Sequence, residues 1–131
     1  MCKSNLDPVK VDLIANFLKD VKDPNISFNT VIDKHLCVDR KANREAMIML
    51  LTPFRARLKN NSDNFRNAID TYSSLPNSEK NINMNSNAEN NTYCFTDDKG
   101  NKTFILIENG KIASFTVLRK GIRGVFLVFC G

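Results

Sequence analysis

The chain has 131 residues, of which 42% are hydrophobic and 25% charged, the balance expected of one globular domain with its own core. No apolar run approaches the roughly 20 residues that a membrane-spanning helix needs. A single histidine and four cysteines without a Cys-x-x-Cys spacing argue against a zinc site, and we expect no metal and no other cofactor.

A short polar leader, residues 1–6, precedes a single predicted domain, residues 7–131. No apolar stretch follows Met1 and Cys2, so no signal peptide is expected within this sequence. Cys2 has two interpretations: the lipidated first residue of a mature bacterial lipoprotein, or an ordinary residue near a cytosolic start. The predicted location is therefore either the bacterial cell envelope or the cytoplasm.

The other three cysteines are far apart in the sequence. Cys37, Cys94 and Cys130 each stand beside apolar residues. We expect all three to behave as small buried hydrophobic side chains rather than as disulfide partners.

The amino-terminal half predicts helices. Asp7 is an N-cap acceptor, and Pro8 follows it at the first helical position, where its missing N–H is not needed. Apolar residues at helical spacing continue over residues 9–21, and a second helix over residues 28–36 has Ser27 as its cap.

A third helix is predicted over residues 46–58, with Asp39 as a possible cap. Pro53 lies inside its apolar pattern. Because proline removes one backbone hydrogen bond and clashes with the preceding turn, we expect a kink or a break near Thr52.

The middle of the chain is ambiguous. Residues 63–75 fit a helical stripe, although residues 68–73 also fit a strand, and we favour the helix. Residues 76–91 contain seven asparagines and predict a long exposed connection, in which Ile82 and Met84 are candidates for a short edge strand.

The carboxyl-terminal third predicts a four-stranded antiparallel meander. Asn109 and Gly110 lie between two β-rich runs, and this pair favours the positive φ angles of a type I′ hairpin turn. The predicted strands are residues 91–96, 102–108, 111–118 and 125–129. The predicted cross-strand pairs are Glu108–Lys111, Ile107–Ile112, Leu106–Ala113, Phe104–Phe115, Phe95–Phe104 and Tyr93–Leu106.

Both faces of this meander are apolar, so each needs cover. One face, which carries Phe104, Leu106 and Phe115, is predicted to be core. The other mixes apolar walls with two hydroxyl groups, and three uses of it stay open: a small-ligand pocket, a homodimer interface, or burial under a helix. Its candidate pocket residues are Ile105, Ile107, Ile112, Ser114, Thr116 and Leu118.

The three helical stripes (residues 9–21, 28–36 and 46–58) followed by the strands at residues 103–107, 111–118 and 125–129 resemble the nuclear-transport-factor-like (cystatin-like) cone domains. The run from Asn109 to Phe115 is similar to a hairpin of many small secreted proteins of that kind. The resemblance implies an α+β fold, with helices packed on a curved sheet. It also implies either a homodimer or a small ligand held in the cone. No residue matches a catalytic position of the enzymatic members.

His35 is the only imidazole and lies on the apolar stripe of the second predicted helix. It is either a general base poised near neutral pH or a half-buried structural histidine near a helix carboxyl end, and we favour the structural role.

The net charge of +5 lies entirely after residue 98, because residues 1–98 hold 13 basic and 13 acidic side chains. A basic rim is predicted at one end of the sheet. It would suit an anionic ligand or a phospholipid surface, although lysines and arginines in turns also simply prevent edge pairing. Nucleic acid is disfavoured because no solvated aromatic platform accompanies the charge. The rim residues are Lys99, Lys102, Arg119, Lys120 and Arg123.

The sequence therefore favours a non-catalytic accessory domain that binds a small ligand or a partner. The alternative is a small cone-fold enzyme that uses His35 or a carboxylate in the cavity. Neither a phosphate loop nor a nucleophile-elbow motif is present.

Overall fold

The structure is a computed structural model and describes residues 6–38, 41–121 and 123–128. Four helices and six strands follow one another in an α+β arrangement. The helices are α1 (Pro8–Lys22), α2 (Phe28–His35), α3 (Lys41–Leu58) and α4 (Ser86–Asn90). The strands are β1 (Ile69–Thr71), β2 (Thr92–Thr96), β3 (Lys102–Glu108), β4 (Lys111–Ser114), β5 (Val117–Lys120) and β6 (Arg123–Phe126). No described helix combines the length and apolarity needed to cross a membrane.

The first two helices begin where the capping residues predict. The backbone N–H of Val9 donates to Asp7 Oδ1 at 2.9 Å, and that of Thr30 donates to Ser27 Oγ at 3.2 Å. Each cap satisfies a backbone donor that has no partner within its own helix.

The third helix is continuous through Pro53, so the break predicted near Thr52 is absent. Thr52 Oγ1 donates to the carbonyl oxygen of Ile48 at 2.8 Å. Asp39, the predicted cap of this helix, lies outside the described residues.

The helix predicted over residues 63–75 is wrong, and the strand alternative is right for Ile69–Thr71. Short 3-10 turns flank this strand on both sides. Ile69 pairs with Phe95 of β2 and is fully buried, so edge pairing with a buried side chain outweighs local helix propensity.

The asparagine-rich connection contains a buried anchor. Ile82 forms an isolated parallel bridge with Gly124 and is 5% exposed. The N–H of Asn83 donates to Gly124 O at 2.6 Å, and the N–H of Gly124 donates to Asn81 O at 2.8 Å. These two bonds cover the outer edge of β6, and the short edge strand predicted for Ile82 and Met84 is reduced to this one bridge.

The main sheet has the order β1-β2-β3-β4 and is antiparallel throughout. Asn109 and Gly110 have φ angles of 53° and 76°, and they reverse the chain between β3 and β4 as predicted. The pairs Ile107–Ile112 and Glu108–Lys111 are confirmed.

The predicted register between β2 and β3 is wrong by one residue. Phe95 pairs with Thr103 and Tyr93 pairs with Ile105. Asp97 explains the loop, because its Oδ1 accepts the backbone N–H groups of Lys99 and Asn101 at 3.0 and 2.9 Å. One carboxylate therefore holds all five residues between Thr96 and Lys102 in the turn, and this sets the observed register.

The strand predicted over residues 111–118 is also wrong, because the chain bends at Phe115 and Thr116. A bulge places Ser114, not Ala113, opposite Leu106. Ser114 Oγ stabilises the bend by donating to Thr116 O at 3.0 Å and accepting Thr116 N–H at 3.3 Å. After it, β5 and β6 form a separate two-stranded sheet.

The bend and the corrected register create two hydrophobic clusters on opposite faces of the main sheet. The larger cluster lies under α1, α2 and α3 and contains Ile105, Ile107 and Ile112. The smaller one joins Phe104 to residues of the asparagine-rich connection and of the β5–β6 hairpin. The helices therefore cover the face that was predicted as the mixed one.

The cysteines differ from one another. Cys37 is disulfide-bonded, which overturns the prediction that it is a free hydrophobic side chain. Cys94 is a free buried thiol, as predicted, and burial raises its pKa. Cys2 and Cys130 lie outside the described residues.

Candidate functional site

A cleft of about 410 Å³ opens between the second half of α3, the start of β3 and the bend that follows β4. It exists because the chain leaves the main sheet at the bend, so that β5 lies away from β3. Its lining combines three cations, two threonines and an apolar wall: Arg57, Lys102, Arg119, Thr103, Thr116, Leu50, Pro53, Phe54, Phe104, Phe115 and Val117.

Arg57 reaches the cleft from the last turn of α3. Its guanidinium donates to Thr103 Oγ1, and its Nε lies 3.5 Å from Asp97 Oδ2. Its Cζ lies 5.0 Å from the centre of the Phe54 ring. These contacts fix the guanidinium plane while 40% of the side chain stays exposed, so the group is held in place and still accessible to a ligand.

Lys102 and Arg119 approach from the two sheets. Lys102 Nζ lies 3.6 Å from Glu79 Oε1, and Arg119 Nη1 donates to Asn81 Oδ1 at 2.5 Å. The asparagine partner is uncharged and does not compensate the positive charge of Arg119. Among the described residues, the carboxylates within 4 Å of the three cations are those of Asp97 and Glu79.

The apolar wall of the cleft is aromatic. Phe54 and Phe115 stack with ring centroids 5.5 Å apart and an interplanar angle of 16°. Phe104 closes the wall from β3. A ligand in this cleft would meet flat rings on one side and cations with hydroxyl groups on the other.

The structure brings together part of the predicted basic rim. Lys102 and Arg119 line the cleft, whereas Lys99 lines a neighbouring cavity of about 110 Å³ with Asp97 and Asp98. Arg123 instead donates to Asn83 Oδ1 at 3.0 Å. The side chain of Lys120 lies outside the described part of the structure.

Sequence reasoning missed Arg57. It stands three residues after Phe54, so the two share a helix face, and that spacing was the available signal. Only the bend at Phe115 shows that this face borders the sheet cations.

The six predicted pocket residues do not converge. Ile105, Ile107 and Ile112 belong to the helix-covered core. Ser114 holds the bend, and Thr116 lines the cleft. Leu118 belongs neither to the helix-covered core nor to the cleft, and it is 47% exposed.

His35 is buried at the end of α2, with 7% exposure. Its Nε2 lies 2.7 Å from Asp20 Oδ2, and Lys34 Nζ lies 3.0 Å from the same oxygen. An ionised carboxylate only accepts hydrogen bonds, so His35 Nε2 is the donor. Burial raises the pKa of Asp20, but the bonds from His35 and Lys34 outweigh burial and hold it below its usual value. This pair does not line the cleft.

A wider hollow of about 890 Å³ lies between the carboxyl ends of α1 and α3. The guanidinium of Arg55 donates there to the carbonyl oxygens of Val21, Asp20 and Ile26. Lys22 is 2.6 Å from Asp63 Oδ1. Since these charges already serve the protein itself, the hollow is a weaker candidate for an anion site.

Among the described residues, no group of three or more histidine, cysteine, aspartate or glutamate side chains is placed to hold a metal ion. In comparisons with known proteins, no family model, no curated protein and no solved structure matches the chain.

Proposed function

We propose that this domain is a non-catalytic binding module that takes a small organic anion in the cleft beside α3. One observation carries the proposal: three cations from three separate elements, Arg57, Lys102 and Arg119, converge on one cleft with an aromatic wall.

The charge of the cleft supports an anionic ligand. Bringing three cations together costs Coulombic energy that Asp97 and Glu79 offset in part, and a bound anion would offset more of it. Arg57 is already oriented by Thr103 and Asp97, so little side-chain entropy is lost when it binds a carboxylate or a phosphate.

The walls of the cleft set the shape of the ligand. A volume of about 410 Å³ lies at the lower end of the range of small-molecule sites. The stacked pair of Phe54 and Phe115 favours a flat or aliphatic body beside the charged group. The proposed ligand class is therefore a compact carboxylate or phosphate monoester with an apolar body.

The test is a titration of the isotope-labelled protein with benzoate and with phenyl phosphate, followed by amide chemical shifts. We expect the largest changes at Thr103, Thr116 and Val117, which line the cleft. Benzamide has the shape of benzoate without its charge and should bind at least about tenfold more weakly, because it loses the charge-assisted hydrogen bonds.

Arg57→Met should weaken benzoate binding by about tenfold or more. Arg44→Met is the matched control, since Arg44 also lies on α3 and its 2.7 Å ion pair with Asp33 is remote from the cleft residues in sequence and partners. Equal affinity for benzamide and benzoate, shifts centred elsewhere, or equal effects of the two substitutions would each contradict the proposal.

Four earlier hypotheses stay predictions beside this one. They are membership of the cone-domain family, a homodimer through the sheet, a lipid anchor at Cys2, and catalysis that uses His35. The buried bond between His35 and Asp20 gives no support to the last of these.

A further inference from the structure

The β5–β6 hairpin carries apolar side chains on its outward face. Val117 and Phe126 pack inward against the smaller cluster, and the alternation of side chains along a strand turns Leu118 and Val125 outward. These two residues are direct cross-strand partners and are 47% and 38% exposed. Val128, just after β6, is 41% exposed. Two of the five exposed large hydrophobic side chains of the described residues thus form a cross-strand pair on this hairpin.

The same hairpin is basic. Residues 117–126 contain Arg119, Lys120 and Arg123 and no acidic residue. The described partner of Arg123 is the neutral amide of Asn83.

We propose that the outward face of β5–β6 docks on the surface of an anionic lipid bilayer. Leu118 and Val125 would enter the boundary between headgroups and acyl chains, while Arg123 would contact the lipid phosphates. This use explains why an apolar pair stays exposed on a hairpin without acidic residues. It is independent of the small-anion cleft, which lies on the other side of β5.

A second copy of the chain is a poorer occupant of this face. An isologous contact centred on Leu118 and Val125 would bring the basic hairpins of the two copies close together. That contact would add repulsion instead of removing it. A lipid surface supplies the opposite charge over the whole face.

The experiment is co-sedimentation of the full chain with vesicles of pure phosphatidylcholine and with vesicles that also contain 30% phosphatidylglycerol (roughly the content at which surface potential becomes strong). We expect binding to the anionic vesicles only, weakening as salt rises from about 50 to 500 mM. The double variant Leu118→Thr, Val125→Thr places threonine, which is favoured in β-strands, at both positions and removes the exposed apolar side chains. Its binding should be about tenfold weaker. Arg123→Gln should weaken it by about fivefold.

Matched controls use exposed residues elsewhere. Val9→Gln with Met49→Gln replaces the two most exposed large hydrophobic residues, at 73% and 74%, and Lys59→Gln removes one exposed charge after α3. Both control variants should bind as the wild type does. Far-ultraviolet circular dichroism of every variant shows that each is folded.

Several results would overturn the proposal. These are no sedimentation with anionic vesicles at low salt, equal binding to neutral vesicles, and equal losses in the hairpin and control variants. A dimer in solution that the Leu118→Thr, Val125→Thr variant dissociates would assign the face to a second copy instead.

Discussion

Replacement of Asp20 by asparagine tests the buried charge cluster between α1 and α2. Asp20 accepts from His35, whose side chain is 7% exposed, and from Lys34, whose side chain is 59% exposed. A hydrogen bond to a charged group contributes about 1.5–3 kcal/mol when buried, and an exposed ion pair at most about 1 kcal/mol. Asparagine keeps one neutral bond of about 1 kcal/mol, so we expect a loss of about 2 kcal/mol at pH 7.

The pH dependence has a definite sign. The pKa of Asp20 is lower in the folded chain than its usual value of 3.8, so the folded state binds fewer protons than the unfolded state. The stabilisation is therefore complete above the unfolded pKa and is lost as the pH falls through the folded pKa. The difference between wild type and Asp20→Asn should shrink below about pH 4.

Urea unfolding at pH 7, 5 and 3 measures this difference. At a typical slope of about 1–3 kcal/mol per molar, the midpoint should fall by about 1 M at pH 7. Asp33→Asn makes the same chemical change at a carboxylate that is 67% exposed, and it should cost less than about 1 kcal/mol. Equal effects of the two substitutions, or a difference that is the same at pH 7 and pH 3, would refute the reasoning.

Three further substitutions probe the fold. Arg55→Met removes the donor to three carbonyl oxygens between α1 and α2 and should lower the free energy of urea unfolding by about 2–3 kcal/mol. A loss no larger than that of an exposed ion pair would contradict a stabilising role of these three hydrogen bonds. Gly124→Ala would place a Cβ in steric clash with Val117 Cγ1 and should lower the free energy of unfolding by about 1–3 kcal/mol, measured by thermal unfolding. The control is Gly100→Ala, where the added Cβ meets no atom and only the positive φ angle is strained. Cys37→Ser should cost about 2–4 kcal/mol, and a reducing agent should bring the wild type to the same stability; an unchanged melting temperature on reduction would exclude the bond.

The sequence was sufficient to predict helix starts and the central hairpin, because the residue types at these positions have one dominant local use. Asp7 before Pro8, Ser27 before a helical stripe, and Asn109 with Gly110 each satisfy a backbone requirement within four residues of themselves. These signals set the start of α1 and α2 and the central hairpin correctly.

The errors in strand register and strand length arise at residue types that have several local uses, so the sequence pattern does not select among them. Asp97 holds the β2–β3 loop through its own carboxylate, and Ser114 bends the chain by bonding to Thr116. Each change moves a whole strand relative to its neighbour or ends it early. The helices therefore cover the face of Ile105, Ile107 and Ile112, and Phe95 and Phe115 lie with these residues instead of with Phe104 as predicted.

The cleft could not be predicted as a site because its residues are far apart in the sequence. Lys102 and Arg119 were recognised as neighbours in the basic rim, but Arg57 belongs to a helix more than forty residues earlier. The contact of Arg57 with Thr103 places it beside Lys102, and the bend after β4 opens the cleft next to them. The spacing of Phe54 and Arg57 on one helix face does not indicate that a cleft opens between two strands.

The bend at Phe115 and Thr116 has a consequence for how this chain can change over time. In β3, Ile105 packs in the larger hydrophobic cluster under the helices, and Phe104 packs in the smaller cluster beside the β5–β6 hairpin. This one strand therefore separates the two clusters. Substitutions in the β5–β6 hairpin affect the packing of the smaller cluster alone. The surface residues of this hairpin can therefore change in evolution while the packing of the helices on the main sheet is kept.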